Sequence, residues 1–318
     1  MNLAYLILAH NQPRQLERLI ERLNQPNTDF YIHVDKKSND LSAIRQSLLK
    51  YKNVKIISSY KVNWMGFNMV KSTLGLIELA YSSGKQYKYY LLLSGQDYPI
   101  KPNEYIFNFF DNHNEDLISY NKISHLPEIF TDKVRFFHFP DIVYTNPRSA
   151  ENIPVLVKLY YGIYKKFKKY MPKRAFYKNF EPYFGSQWFA LTDETIKFIL
   201  KFIKENKQYL EFMRFTEGPD EMFFQTIILN SERRNNLYDY DRYIDWLNMR
   251  KDKEVFIHKF SSLRYMDWTD RGKPKPAVLE ESYYKTLEAS DELFARKFDE
   301  VTSAGLLDQI DKNLLKTK

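Results

Sequence analysis

The chain has 318 residues and a formal net charge of +8, with 48 Lys and Arg against 40 Asp and Glu. It has no cysteine, which excludes disulfides and thiolate metal sites and suits a reducing compartment. The basic balance suits nucleic acid, an anionic membrane or phosphorylated ligands. No nucleic-acid-binding motif is found, so we expect no nucleic-acid partner.

The N-terminal segment gives an expectation about location. Met1–Leu8 leads directly into a strand-like run and lacks the charged region and cleavage site of a signal peptide. No apolar run approaches the roughly 20 residues that a membrane-spanning helix needs. We therefore expect a soluble, cytoplasmic protein.

The first third of the chain alternates apolar strands with amphipathic helices. Strands are predicted at Leu3–Ala9, Phe30–Val34, Val54–Ile57 and Tyr89–Leu93, and helices from Pro13, at Leu41–Tyr51 and at Met69–Tyr81. This alternation predicts an α/β fold with a mostly parallel central sheet flanked by helices. Ligands bind such sheets at the carboxyl ends of the strands. The segments to examine there are His10-Asn11, Asp35–Lys37 and Ser94–Pro99.

The remainder is less regular. Helices are predicted at Leu156–Met171, Pro219–Leu229, Leu287–Phe298 and Leu306–Leu315, with a strand at Phe189–Leu191. Residues 231–280 are rich in loop signals and contain two similar pieces, Arg242–Trp246 and Arg264–Trp268. No low-complexity linker divides the chain, so a single domain spanning residues 1–318 is favoured.

Two groups of charged residues have competing explanations. Asp220 and Glu221 open a predicted helix, where they compensate the helix dipole or supply a general base. Adjacent helix positions do not face each other, which disfavours the paired acids of a glycoside hydrolase. Arg296 and Lys297 suit either the last turn of a helix or the binding of a diphosphate.

Metal ligands are sparse. The one Asp-x-Asp pair, Asp239 and Asp241, falls in the loop-rich region, and we interpret both as surface loop residues. After the fourth strand, where sugar-nucleotide transferases often hold a divalent ion, the chain offers only Gln96 and Asp97. A lone carboxylate is a poor magnesium or manganese site, so no metal and no other cofactor is expected.

The ordered set of these motifs resembles the core-2/I-branching β-1,6-N-acetylglucosaminyltransferase family, glycosyltransferase family 14, in its compact bacterial form. The family also includes peptide O-xylosyltransferases and plant glucuronosyltransferases. The matching pieces are Ala4–His10, Ile32–Ser38, Ser94–Lys101, Gly185–Leu191, Pro219–Glu221, Leu263–Trp268 and Phe294–Phe298.

The resemblance implies a GT-A-like, Rossmann-type fold and inverting, metal-independent transfer from a UDP-sugar to a glycan or lipid-linked glycan. Residues 1–105 would form the nucleotide-binding half and residues 106–318 the acceptor and catalytic half. We expect GlcNAc from UDP-GlcNAc, with UDP-xylose, UDP-glucuronate or another UDP-sugar as alternatives. A catalytically silent carbohydrate-binding protein is the alternative of another class.

The resemblance also implies individual roles. Glu221 matches the catalytic base, and Lys297 a cation on the donor diphosphate, with Lys275 or Lys273 as the second cation. Leu8, His10 and Asp35 match positions that line the uridine pocket, and Trp268 matches an acceptor-contacting tryptophan. We also expect Asp97, Gln187 and Asp220 to contact the donor or acceptor sugar.

The segment Val155–Lys178 holds eight Lys or Arg and no acid. Leu156, Tyr160, Ile163, Phe167 and Tyr170 recur at helical spacing, and Lys165, Lys166, Lys168 and Lys169 turn largely to other faces. One interpretation is an ordinary amphipathic helix packed on the domain. The other is docking on an anionic membrane surface, peripheral to the inner face of the plasma membrane.

Overall fold

The computed structural model describes residues 1–142, 155–167, 170–249, 256, 258, 263–269 and 276–316. The elements of the first third are β1 (Leu3–Ala9), α1 (Pro13–Leu23), β2 (Thr28–Val34), α2 (Leu41–Leu48), β3 (Val54–Ile57), α3 (Phe67–Tyr81), β4 (Tyr89–Ser94), β5 (Asp97–Pro99) and α4 (Asn103–Asn112). All the strands and helices predicted there are present, with ends that differ by a few residues.

The remaining elements are β6 (Leu117–Ile118), β7 (Asn121–Lys122), α5 (Glu128–Arg135), α6 (Val155–Phe167), β8 (Tyr183–Phe184), β9 (Phe189–Thr192), α7 (Asp193–Glu205), α8 (Lys207–Arg214), α9 (Phe223–Leu229), α10 (Tyr240–Met249), β10 (Arg264–Met266), α11 (Tyr284–Glu288), β11 (Phe294–Arg296) and α12 (Ala304–Asn313). Short 3₁₀ turns lie between them at Ile123–His125, Tyr177–Asn179, Pro219–Glu221, Glu232–Asn236 and Glu281–Tyr283.

The central sheet has the strand order β3-β2-β1-β4-β9-β6. The first four strands are parallel, whereas β9 runs antiparallel to both β4 and β6. A smaller sheet, β10-β11-β5, joins the end of the chain to the turn after β4. The predicted α/β class, with a mostly parallel sheet flanked by helices, is confirmed.

Hydrophobic cores cover both faces of the central sheet. Along β1, Leu3, Tyr5 and Ile7 pack into one core, and Ala4 and Leu6 pack into the other. Successive strand residues point to opposite faces, so a strand buried on both sides is apolar throughout. This explains why β1 appears in the sequence as a continuous hydrophobic run.

Three predicted elements differ from the structure. The predicted helix Pro219–Leu229 is a 3₁₀ turn followed by α9, because the Glu221 carbonyl accepts a hydrogen bond from the Gly185 amide at 2.8 Å. The predicted helix Leu287–Phe298 ends at Glu288, and β11 follows it. There, pairing with β5 on one side and β10 on the other overrides the helical spacing. The region 231–280, which was expected to be rich in loops, contains the helix α10.

None of the helices in the described part of the chain is both long enough and apolar enough to span a membrane.

Candidate active site

A cleft of about 1170 Å³ lies at the carboxyl ends of β1, β2 and β4. The second half of the chain closes it, with walls from the β8–β9 turn, the Pro219–Glu221 turn and the end of β11. Seven predicted site residues line this one cleft: Leu8, His10, Asp35, Gln187, Glu221, Trp268 and Lys297. The structure therefore brings together side chains that lie up to 289 positions apart in sequence. Lys273 and Lys275 fall outside the described residues.

The sheet-end wall is held by backbone contacts. The Asp35 carboxylate accepts hydrogen bonds from the amides of Lys37 at 2.9 Å and Val62 at 3.2 Å. His33 also lines the cleft, and its Nε2 accepts a hydrogen bond from the Tyr60 amide at 3.2 Å. Burial lowers the pKa of His33 to about 4, so its ring is a neutral acceptor at physiological pH.

His10 shows how closely the two walls face each other. Burial lowers the pKa of His10, and the charges of Lys297 and Arg296 lower it further. A neighbouring positive charge disfavours protonation of an imidazole. His10, Arg296 and Lys297 all line the cleft, so the end of β1 and the end of β11 together give it a basic region.

Asp97 holds Arg296, together with Arg264, from behind the wall. It is fully buried, and its two oxygens accept hydrogen bonds from Arg264 Nε at 2.7 Å and Arg296 Nη1 at 3.0 Å. The Ser94 amide adds a third bond at 3.0 Å. Both guanidinium groups lie about 5 Å from the centre of the Trp188 ring, at 4.9 and 5.0 Å.

These contacts revise two expectations. Asp97 does not line the cleft, because its oxygens are turned towards two arginines, so the structure does not place it as a sugar contact. Arg296 and Lys297 do not occupy the last turn of a helix, because Arg296 ends a strand and Lys297 follows it. Both cations line the cleft, which favours their interpretation as anion-binding residues.

Glu221 is placed by a tight turn. Gly218 has a φ of 65°, in the left-handed region that glycine adopts at little cost, and its amide donates to the Met65 carbonyl at 3.0 Å. The Glu221 carbonyl is held by Gly185, as described above. At Gly185 an added Cβ would lie 1.9 Å from the Ser119 carbonyl oxygen, so only glycine fits. Two glycines thus fix the backbone around the predicted base.

The surroundings of Glu221 change its acidity. Burial and the adjacent Asp220 carboxylate both raise the pKa of Glu221, while Lys133 opposes the shift. Burial also raises the pKa of Asp220, whose Oδ1 has no hydrogen-bond partner in the structure. The Glu221 carboxylate is therefore a stronger base than an exposed glutamate. A smaller fraction of it is ionised near neutral pH than in an exposed glutamate.

Asp220 itself does not line the cleft. Its side chain is buried, so the structure does not place this predicted sugar contact against a ligand. The position fits a residue that acts on Glu221 through its charge. Lys133 is buried as well, and its ammonium lies 3.9 Å from the Glu217 carboxylate.

Three contributors to this region were absent from the expected site: Lys133, Trp188 and Arg264. Arg264 lies 167 positions from its partner Asp97, so no local pattern connects them. Trp188 had a weak signal, because it stands next to the predicted sugar contact Gln187 within a matching motif. Lys133 had none, because it is an isolated lysine on a short helix.

Acidic side chains and histidines are the potential metal ligands of this chain. Across the described residues, no cluster of three or more His, Asp or Glu side chains is placed to hold a metal ion. The prediction that Asp239 is a surface residue is wrong. Its side chain is buried, where it pairs with Arg242 at 3.1 Å and lies 3.6 Å from His258. Asp241 is exposed, but it lies on α10 rather than in a loop.

Comparison with known proteins supplies the family context. The family model of the Core-2/I-Branching enzyme matches residues 3–290. Xylosyltransferase 1 of Rattus norvegicus is 23% identical over 323 residues, covering 99% of this chain and 35% of the rat protein. Xylosyltransferase 2 of Canis lupus familiaris is 24% identical, covering 99% of this chain and 34% of its own length. The chain thus spans about a third of these relatives.

Solved structures give a more distant likeness. The galactosyltransferase LgtC, in complex with donor and acceptor sugar analogs, covers 99% of this chain and 97% of its own, with a TM-score of 0.42 and 9% identity. TarS of S. aureus, in complex with UDP-GlcNAc, covers 37% of this chain and 34% of its own, with a TM-score of 0.29 and 14% identity. Neither likeness is close enough to assign a function.

Proposed function

The chain belongs to the core-2/I-branching enzyme family, and we propose that it is a glycosyltransferase that moves a sugar from a UDP-sugar onto a glycan hydroxyl. The observation that carries the proposal is the composition of the cleft. The Glu221 carboxylate, with a pKa raised by burial and by Asp220, shares one cavity with two cations, Arg296 and Lys297. A base and a diphosphate-binding region are what such a transfer needs.

The proposed reaction is a single in-line displacement. The acceptor hydroxyl oxygen forms a bond to the anomeric carbon while the bond from that carbon to the diphosphate oxygen breaks. Glu221 takes the hydroxyl proton, and UDP leaves with the bonding electron pair. Attack from the face opposite the leaving group inverts the anomeric configuration, which gives a β-linked product from an α-linked donor.

The departing UDP gains negative charge that fixed cations can stabilise. Lys297 and Arg296 are the described cations on the cleft wall that suit this task, with Lys273 or Lys275 as the further cation implied by the resemblance. Asp97 holds Arg296 in place without entering the cleft. Its carboxylate is already engaged by two arginines, which supports a mechanism that uses no divalent ion.

The rest of the cleft is assigned to recognition. Leu8, His10 and Asp35 form the end that we assign to uridine, and Trp268 and Gln187 the part that we assign to the sugars. Trp268 is half exposed, with 51% of its surface accessible, and so offers a ring face on which a sugar can stack.

GlcNAc from UDP-GlcNAc is the proposed donor sugar, for bacterial polysaccharide or glycoconjugate synthesis in the cytoplasm. The xylosyltransferase relatives favour UDP-xylose as the first alternative, followed by UDP-glucuronate. A silent carbohydrate-binding protein is disfavoured, because binding alone requires neither a base of raised pKa nor a cationic region in the same cleft.

A panel of UDP-sugars tests the proposal. The true donor should raise the melting temperature by mass action, while the matching GDP-sugar should not. With an acceptor glycan present, that donor should release UDP, and NMR of the product should show the opposite anomeric configuration. If no UDP-sugar stabilised the fold and none released UDP, the proposal would be wrong.

A further inference from the structure

Helix α6 presents an apolar stripe to solvent. Val155, Leu159, Ile163 and Phe167 are 80%, 58%, 51% and 51% exposed. They recur every four residues, and at about 100° per residue they share an arc of about 120° on one side of the helix. The packed-helix interpretation expected Ile163 and Phe167 on the buried side, and the structure contradicts it at both positions. Tyr170, expected there too, is 73% exposed.

The opposite side of α6 faces the domain. The Tyr164 hydroxyl lies 3.2 Å from His138 Nδ1, and the two rings are 5.6 Å apart. The same His138 nitrogen lies 4.0 Å from the carboxylate of Glu217, close to the Pro219–Glu221 turn. The helix is therefore attached near the proposed base, with its apolar stripe directed outwards. Side chains of Leu156, Tyr160, Lys165, Lys168 and Lys169 lie outside the described residues.

The charge around the stripe indicates which kind of partner would fit it. Lys158 and Lys166 are exposed beside or within the apolar arc. The whole segment Val155–Lys178 has eight basic residues and no acid, in a chain of net charge +8. Two copies of this surface would repel each other, whereas anionic lipid headgroups would attract it. Lysines on such a helix extend to the headgroups while the apolar side chains enter the acyl boundary.

We propose that α6 docks on an anionic lipid bilayer by inserting this apolar stripe, with the surrounding lysines contacting the headgroups. Docking there would present the cleft to acceptors that are themselves anchored in the membrane. That consequence rests on the proposed transferase function, whereas the docking does not.

Flotation with vesicles tests the docking without donor or acceptor. The protein should bind vesicles of phosphatidylcholine with phosphatidylglycerol more tightly than phosphatidylcholine alone, and binding should fall as salt rises. Combining Leu159→Ser, Ile163→Ser and Phe167→Ser should weaken binding at least about tenfold. A control with Leu49→Ser and Val301→Ser, which are 71% and 80% exposed elsewhere, should bind like the parent.

The outcomes are distinct. If the triple variant bound as tightly as the parent, the stripe would not be the docking surface. The proposal would be overturned if the parent bound no vesicles and formed a dimer in sedimentation analysis, while the triple variant remained a monomer. That result would assign the stripe to self-association. Circular dichroism checks that the variants are folded. Because UDP release is measured separately, an inactive protein that still binds vesicles would sink only the transferase function.

Discussion

Glu221 lines the cleft and Asp97 lies behind its wall, and the two carboxylates have opposite electrostatic surroundings. Asp97 is buried between Arg264 and Arg296, at 2.7 and 3.0 Å. Glu221 has the Asp220 carboxylate beside it, and burial together with that like charge raises its pKa. The first arrangement fixes two cations in place. The second holds a carboxylate that takes up a proton more readily than an exposed glutamate does.

The difference teaches that neighbours, rather than residue type, decide what an acid does. A buried carboxylate with a cation on each oxygen has a structural role, because removing either side of the pair leaves an uncompensated buried charge and destabilises the fold. A carboxylate whose charge is poorly balanced is suited to proton transfer. The neighbours of Asp97 come from distant parts of the chain, so the sequence around it does not identify the role.

The largest expected effect is a loss of folding stability when the charge of Asp97 is removed. Asp97→Asn would leave the buried guanidinium of Arg264 without its counter-charge, which costs about 3–5 kcal/mol for a buried pair. We expect a correspondingly lower midpoint in urea unfolding. Glu288→Gln, which breaks the exposed pair with Lys285, is the control and should leave the midpoint unchanged. An unchanged midpoint in Asp97→Asn would show that the buried pair does not stabilise the fold.

The cation beside Arg296 comes next. Lys297→Ala should reduce kcat/KM about tenfold to a hundredfold, because a charge-assisted contact with the leaving diphosphate contributes about 1.5–3 kcal/mol. Steady-state kinetics with the donor found in the panel measures this. Lys285→Ala removes a fully exposed lysine on α11 and should have no effect. Kinetics equal to the parent in Lys297→Ala would remove that residue from the diphosphate site.

The acidity of Glu221 can be moved in both directions. The base must be ionised to act, so kcat/KM should rise with pH through its raised pKa. Asp220→Asn removes the like charge and should move this rise to lower pH by about one unit, while Lys133→Met should move it to higher pH.

Glu292→Gln is the control for that profile. Burial raises the pKa of Glu292 to about 7, but this residue does not line the cleft, so its replacement should leave the profile in place. A profile that followed Glu292 and ignored Asp220 would mean that another acid governs the reaction.

The smallest expected effect is that of a chelator. Both oxygens of Asp97 are engaged by arginines, so activity should survive excess EDTA. Turnover with and without EDTA, on protein purified without added metal, measures this. If EDTA abolished activity and Mn²⁺ restored it, the reaction would need a divalent ion. The assignment of Asp97 to a purely structural role would then be wrong.

Local signals predicted much of this molecule. The strands β1 to β4 follow from short apolar runs, and α1 follows from Pro13 and the spacing of its leucines, since these elements are buried where the pattern says. The identity of Glu221 and Lys297 as site residues came from the family resemblance, not from periodicity. Their presence in one cleft was implied, and the structure places both there.

Contacts between distant segments could not be predicted in the same way. Two pieces of similar sequence make the point. Arg242–Trp246 lies on α10, with Tyr243 buried, whereas Arg264 begins a strand and is buried against Asp97. The side chains are nearly the same, so only the tertiary partners distinguish them. The same reason explains why β11 replaced a predicted helix.

The most direct test of the central claim is the activity of Glu221→Gln, which keeps the side-chain shape and removes the base. Transfer should fall about a hundredfold or more while UDP binding stays near that of the parent. Because the pKa of Glu221 is raised in the folded protein, its ionisation costs stability, and this cost grows as the pH rises from the ordinary glutamate pKa to the raised one. The variant should therefore melt higher than the parent at alkaline pH and nearly equally at pH about 4, where both are neutral. Turnover close to the parent's would contradict the assignment of Glu221 as the base.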